Sequence, residues 1–330
     1  MTPDSGRRRR GGGEKQMVPE AEFQSYYGRP VVKETVWGPD IPSYLFLGGL
    51  AGASSTLAAG ADLTGHAELA RAAKAGAAGA ISLSMVALVR DLGRPARFVN
   101  MLRVFKVTSP MSVGTWIVSG YAPMALAAAA SAVTRKLPRA GLAATLTAAA
   151  LGPAVASYTA VLLGDTAAPA WHAAHRELPF VFIGSAATAA GGLGMLAVRP
   201  AQAGQAARLA VLGATTEIIA KRLMMRRLDA EAEPYRQGRA GKLLDAAERL
   251  IAAGVAGTLL AGTGLAGTGL AGTGLAGRSR VIAPLAGIAL MAASALTRFG
   301  IFEAGRASAR DPKYTVGPQR ERLQDRHDST

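Results

Sequence analysis

Residues 91–116, DLGRPARFVNMLRVFKVTSPMSVGTW, hold four basic side chains, Arg94, Arg97, Arg103 and Lys106, together with Asn100, a Ser109-Pro110-Met111-Ser112 run and Trp116. Apolar segments flank the stretch on both sides, and both are too long for ordinary core helices. A loop this specific between two such segments reads as a docking surface or a site lid at one face of a bilayer. The rest of the chain reads as the scaffold that holds it there.

Composition supports that reading. The chain has 330 residues, 50% of them hydrophobic and 18% charged, where soluble proteins carry about 25% charged residues. The charges cluster in short patches between long Ala, Leu, Gly and Val runs. A membrane span needs about 20 mostly apolar residues, and the chain offers about eight such runs. The expected fold class is an all-α integral membrane protein with about eight transmembrane helices. A formal net charge of +15 would point to nucleic acid in a soluble protein. Here basic loops beside spans account for it, and no nucleic-acid partner is expected. With no cysteine in the chain, disulfides, thiolate-held iron–sulfur clusters and thiol nucleophiles are excluded.

Taken in order, residues 1–22 form a basic tail that opens with Arg7 to Arg10, expected to be disordered. Residues 23–41 read as a segment lying along the membrane interface or re-entering it, with Tyr26, Tyr27 and Trp37 as anchors. An eight-span domain is expected through residue 300, followed by a polar cytoplasmic tail over 301–330. The spans fall near 42–61, 75–89, 112–133, 142–164, 179–198, 206–223, 250–275 and 281–298. Small residues let helix backbones approach in lipid, a packing role that suits Gly48, Gly49, Gly76, Gly79, Gly191, Gly192 and Gly194. From Ala256 the chain runs AGTLL and then AGTGL three times. A five-residue repeat keeps no single helix face, so it reads as a low-complexity expansion in a lipid-facing helix. About three quarters of the 37 Lys and Arg residues fall on the side shared by both termini and the even-numbered loops. The positive-inside rule puts that side in the cytoplasm and the chain in the cell membrane.

Haem is the first chemistry to test. A transmembrane bis-His haem needs histidines inside spans, whereas His66, His172, His175 and His327 all fall in loops or the tail. His172 and His175 have helical spacing, but no Cys joins them and Glu177 is the nearest acid. Intramembrane polar groups come next, because they are costly and tend to be functional. Glu217 falls in the sixth span, where a pair with Lys221 one turn on and a proton-relay role both fit. Asp40 enters the first span with Tyr44 one turn further in, on the same helix face. Tyr158 lies in the fourth span and Asp165 two turns beyond. Such acids and phenols can hydrogen-bond a quinone's carbonyls and pass its protons. Bonds between helices are the alternative.

Four stretches carry a family resemblance: YYGRPVVKETVWGPDIPSYLFLGGLAG (26–52), residues 91–116 quoted above, YTAVLLGDTAAPAW (158–171) and TRFGIFEAGRASARDPKYTVGPQR (297–320). On these the chain resembles the NrfD/PsrC family, the membrane subunits of polysulfide-reductase-like respiratory complexes. The resemblance implies two four-helix bundles and electron exchange between a quinone pool, menaquinone or ubiquinone, and an iron–sulfur subunit. That partner would be a four-cluster ferredoxin-like protein linked to a molybdopterin-dependent catalytic subunit. The family subunit carries no redox centre of its own, in keeping with the absence of cysteines and of haem-type histidines.

By motif position, Tyr158 falls on the family's fourth-span quinone tyrosine. Asp40 and Tyr44 fall near first-span positions where a better-known member has Asn and His. Some members dock partners outside, but the charge asymmetry here favours a cytoplasmic, formate-dehydrogenase-like partner. Arg94, Arg97, Asn100 and Lys106 are the docking candidates, although lipid headgroups would suit the same side chains.

The leading expectation is a quinone-reactive anchor, inactive alone, with quinone at Tyr158, Asp40 and Tyr44 and proton transfer at Asp165. The alternatives are a proton-coupled transporter or pump with Glu217 as carrier, and a purely structural anchor.

Overall fold

The computed structural model describes residues 31–94, 96–262 and 276–317. The basic tail, Tyr26, Tyr27, the AGTGL repeats from residue 263 onward and His327 lie outside the described residues. Those described are helical, with no strand among them. The helices are α1 (Asp40–Leu63), α2 (Ala67–Asp91), the short α3 (Arg97–Met101), α4 (Pro110–Thr134), α5 (Pro138–Gly164), the short α6 (Pro169–Ala173), α7 (Leu178–Ala197), α8 (Gly204–Arg227), the four-residue α9 (Glu233–Arg236), α10 (Gly238–Leu260) and α11 (Ala276–Arg310). The Ser-Pro-Met-Ser run starts α4. Ser109 is the N-cap, its hydroxyl accepting from the Ser112 N–H at 3.5 Å, and Pro110 fills the first helical position, where its missing N–H costs nothing.

Six of these helices are long and apolar enough to cross a membrane: α1, α2, α4, α5, α7 and α11 over Arg280–Arg310. The chain is an all-α membrane protein. The helices α8 and α10 match the others in length but carry more charge. By contact, α1, α2, α4 and α5 form one group of four, and α7, α8, α10 and α11 a second, joined mainly through α1 and α5 against α7. Close approach depends on glycine: a Cβ on Gly52 of α1 or on Gly152 of α5 would run into the other residue's carbonyl oxygen. Gly76, Gly191, Gly192 and Gly194 also face neighbouring helices closely, whereas Gly79 has nothing within 4 Å of where a Cβ would stand. The expectation for Gly79 is therefore corrected.

Three helices, α2, α10 and α11, have boundaries well away from those read in the sequence. The helix α2 starts eight residues early, because Lys74 is neutralised within the bundle by Asp62 at 2.6 Å and does not end the helix. The seventh helix was expected near 250–275. It runs instead from Gly238 to Leu260 and is followed by Gly262 in a left-handed conformation (φ +62°). Its first turns hold Arg239, Lys242, Asp245 and Glu248 and look like loop, yet Ala240, Leu244, Ala247 and Ile251 are buried at helical spacing. The last helix does not stop at Arg298. It continues to Arg310, with Ile301, Phe302 and Ala304 buried.

At the face where α1 begins, the loops lock together around Trp171. This side chain is fully buried, donates its indole N–H to the Ile301 carbonyl at 2.7 Å, and occupies the space a side chain at Gly305 would need. Trp37 stacks on it at 6.1 Å and Phe302 packs at 5.6 Å. Trp37, read from the sequence as an interface anchor, is half-buried and has this protein partner. Just upstream, Glu34 accepts from Arg306 Nε at 3.0 Å and from Arg310 Nη2 at 2.7 Å. These guanidinium groups hold the Glu34 carboxyl below the usual carboxylate range, the Arg310 bond contributing most.

Candidate functional site

Tyr44 on α1 and Tyr158 on α5 meet inside the first group of helices, both phenols buried and their hydroxyls in direct hydrogen-bond contact. Two features of the backbone bring them together. Ser84 of α2 donates to the Tyr44 carbonyl at 3.2 Å, fixing one turn of α1 against α2. Gly114 of α4 leaves room for the Tyr158 ring, which a Cβ there would overlap. Deeper in the same group, Tyr121 of α4 bonds Ser55 of α1 at 2.8 Å. Two phenolic hydroxyls that face each other can each donate or accept, so an inserted carbonyl oxygen could take a proton donor from either side.

Asp40 opens α1 one turn above Tyr44 and is partly buried. Asp91, the last residue of α2, lies beside it, within electrostatic reach and against the Gly38 backbone. Two carboxylates therefore stand over the tyrosine pair. Asp91 was not among the residues picked out in the sequence, although it opens the decisive loop. Asp165 is exposed and follows α5 two turns beyond Tyr158, on the same helix edge. Arg94, Arg97, Asn100 and Lys106 are all exposed. Arg97 donates to the Leu92 carbonyl at 3.1 Å, and the Lys106 N–H is held by Ser112 at 3.0 Å. The loop thus sits against the start of α4, within one turn of Gly114.

Glu217 is remote from this pair. It is buried in the second group of helices and accepts from Thr297 of α11 at 2.6 Å. The pair with Lys221 read from the sequence is not formed, because Lys221 turns to Glu248 of α10 at 2.7 Å. Within electrostatic reach of Glu217 lies Arg298, a buried cation that the sequence shows only as the end of a span. His172 and His175 hydrogen-bond the Gly164 and His172 carbonyls at 3.0 and 2.8 Å. The nearby Glu177 is held by Arg227 at 2.6 Å, which lowers its carboxyl below the ordinary range. Among the described residues no group of three metal-ligating side chains forms.

A family model described as polysulphide reductase, NrfD, matches residues 31–227. The chain belongs to this family. The NrfD match spans α1 to α8 and so takes in Tyr44, Tyr158, the 91–116 loop and Glu217, leaving α9, α10 and α11 beyond it. No match was found among curated proteins.

Proposed function

We propose that this NrfD-family chain is the quinone-interacting membrane subunit of a multi-subunit oxidoreductase, exchanging electrons between the membrane quinone pool and a docked iron–sulfur protein. The observation that carries the reading is the buried contact between the Tyr44 and Tyr158 hydroxyls under Asp40. A quinone carbonyl entering between the hydroxyls would accept from both in place of their mutual bond, so neither phenol is left buried and unbonded. Tyr158 and Tyr44 would hold the ring by its oxygens. Asp40 and the exposed Asp165 would exchange its protons with water at the same face. Each quinol oxidised releases two protons along that edge and two electrons to the partner, and quinone reduction reverses both flows.

The partner would be a ferredoxin-like iron–sulfur subunit, itself joined to a molybdopterin-dependent enzyme. Its landing point would be Arg94, Arg97, Asn100 and Lys106, beside the exposed Val99, Val104 and Phe105. Mixed basic and apolar surface of this kind suits an acidic protein with an apolar centre. The basic loops support a cytoplasmic location for this face.

Quinol-analogue binding to the purified chain, followed by fluorescence quenching, tests the reading. Saturable binding that weakens in Tyr158→Phe is expected. A folded protein that binds no analogue would overturn it in favour of a purely structural anchor.

A further inference from the structure

The second group of helices contains a charge site of its own. Glu217 of α8 and Arg298 of α11 are 2% and 1% exposed. Glu217 stands about 15 Å from the Arg227 end of its helix and about 20 Å from the Gly204 end, counting 1.5 Å per residue over the range of α8. It is therefore close to the middle of α8. Arg298 Nη2 donates to the Phe182 carbonyl at 2.6 Å, and its guanidinium lies 3.7 Å over the Phe182 ring. One carboxylate oxygen of Glu217 is taken by Thr297. The other, Oε2, has no partner among the described residues, and neither have Nε and Nη1 of Arg298. Beside them Ser185 donates to Ser294 at 2.9 Å.

A charge kept in a low-dielectric interior is stable only when it is paired and its hydrogen bonds are filled. Here two charges of opposite sign lie within electrostatic reach, but they leave one acceptor and two donors open. That is the complement of a water molecule, which donates to a carboxylate and accepts from a guanidinium. The surroundings also give a direction. One turn from Glu217 toward the face where α1 begins, Lys221 pairs with Glu248, whose side chain is 56% exposed. The neighbouring α7 and α1 bring Phe182, Ser185 and Gly49 to the site, none of them titratable, so Arg298 and Lys221 are the charges within reach of Glu217, with Glu248 beyond Lys221.

We propose that Glu217 and Arg298 form an internal, water-holding proton-binding site, separate from the tyrosine pair and reached from the Asp40 face through Lys221 and Glu248. Glu217 takes up a proton by forming an O–H bond on its open oxygen. The proton comes from bulk water by way of Glu248, and Arg298 remains as the fixed counter-charge. The site does not require quinone at Tyr158, so the two readings stand or fall separately.

Infrared difference spectra of the full-length chain in lipid nanodiscs, titrated in H2O and in D2O, test the site. The expected result is a protonated-carboxyl band that titrates, shifts in D2O, and is missing from Glu217→Gln. In Glu248→Gln, a change near the protein surface, the band should keep its amplitude while its deuterium shift slows by roughly 100-fold, the loss expected on removing a positioned proton-transfer group. A band that ignores D2O, or that survives Glu217→Gln, overturns the proposal and leaves the pair as a dry structural tie. Should Glu217→Gln fail to fold, Glu248→Gln still decides, because a deuterium shift as fast as in the unaltered protein refutes the route.

Discussion

Gly114 of α4 faces the ring of Tyr158 on α5 with no space for a methyl group between them. Placing a side chain there must push the ring, and with it the hydroxyl that meets Tyr44. Gly114→Ala is expected to cost about 1–3 kcal/mol through overpacking. It should weaken quinol-analogue binding more than Gly79→Ala, where the added methyl meets open space. Comparing thermal stability and analogue binding of the two variants side by side checks this.

Removing either phenolic hydroxyl leaves the other one buried without its partner. Tyr158→Phe and Tyr44→Phe should each destabilise the chain by about 1 kcal/mol, the scale of a side-chain hydrogen bond between membrane helices. The double variant should cost less than the sum of the two, since it leaves no orphan. Denaturation of the three variants in detergent gives the coupling. Additive costs would mean the hydroxyls do not depend on one another.

The Glu34 clasp has a pH dependence whose sign is fixed. Its folded pKa lies below the ordinary 4.5 because Arg310 and Arg306 bond the ionised form. The stabilisation it gives is therefore present above about pH 4.5 and fades as pH falls through the lower, folded value. Acidifying below pH 4.5 should expose Trp37 and red-shift its emission, and Glu34→Gln should show the exposed spectrum already at neutral pH. A Glu34→Gln spectrum that matches the unaltered protein at neutral pH would show that the clasp does not hold Trp37.

At the basic loop, the double change Arg94→Gln and Arg97→Gln should slow association with the iron–sulfur partner and flatten its salt dependence, because rim charges act mainly on the encounter rate. The chain's own stability should be unchanged within about 0.5 kcal/mol, as expected for exposed positions. Association rates at two ionic strengths are the measurement.

Much of the scaffold was legible because lipid imposes long apolar runs: α1, α4, α5, α7 and α8 fall where those runs lie. The errors came where tertiary contacts override composition. Arg239 to Glu248 look like loop, but they open α10 because only one of its faces is buried. Arg298 looks like a helix end, but Phe182 receives it in the interior. The tyrosines of the candidate site could be picked out as polar groups in apolar runs. Gly114 and Arg298 could not, since their significance rests on which side chain another helix brings against them. For Asp91 the signal was its place at the head of the decisive loop.

The clasp between Glu34 and the pair Arg306 and Arg310 also sets an order of assembly. Synthesis runs from the N-terminus, so Glu34 emerges long before either arginine exists. Until α11 has been made, Trp171, on which Trp37 stacks, lacks both Phe302 and the Ile301 carbonyl. A nascent chain halted before residue 301 can insert its earlier helices and still lack a finished Asp40 face. The mouth above Tyr44 and Tyr158 is thus completed by the last part of the described chain to be translated, and a partner that recognises this closed face would engage only full-length subunits.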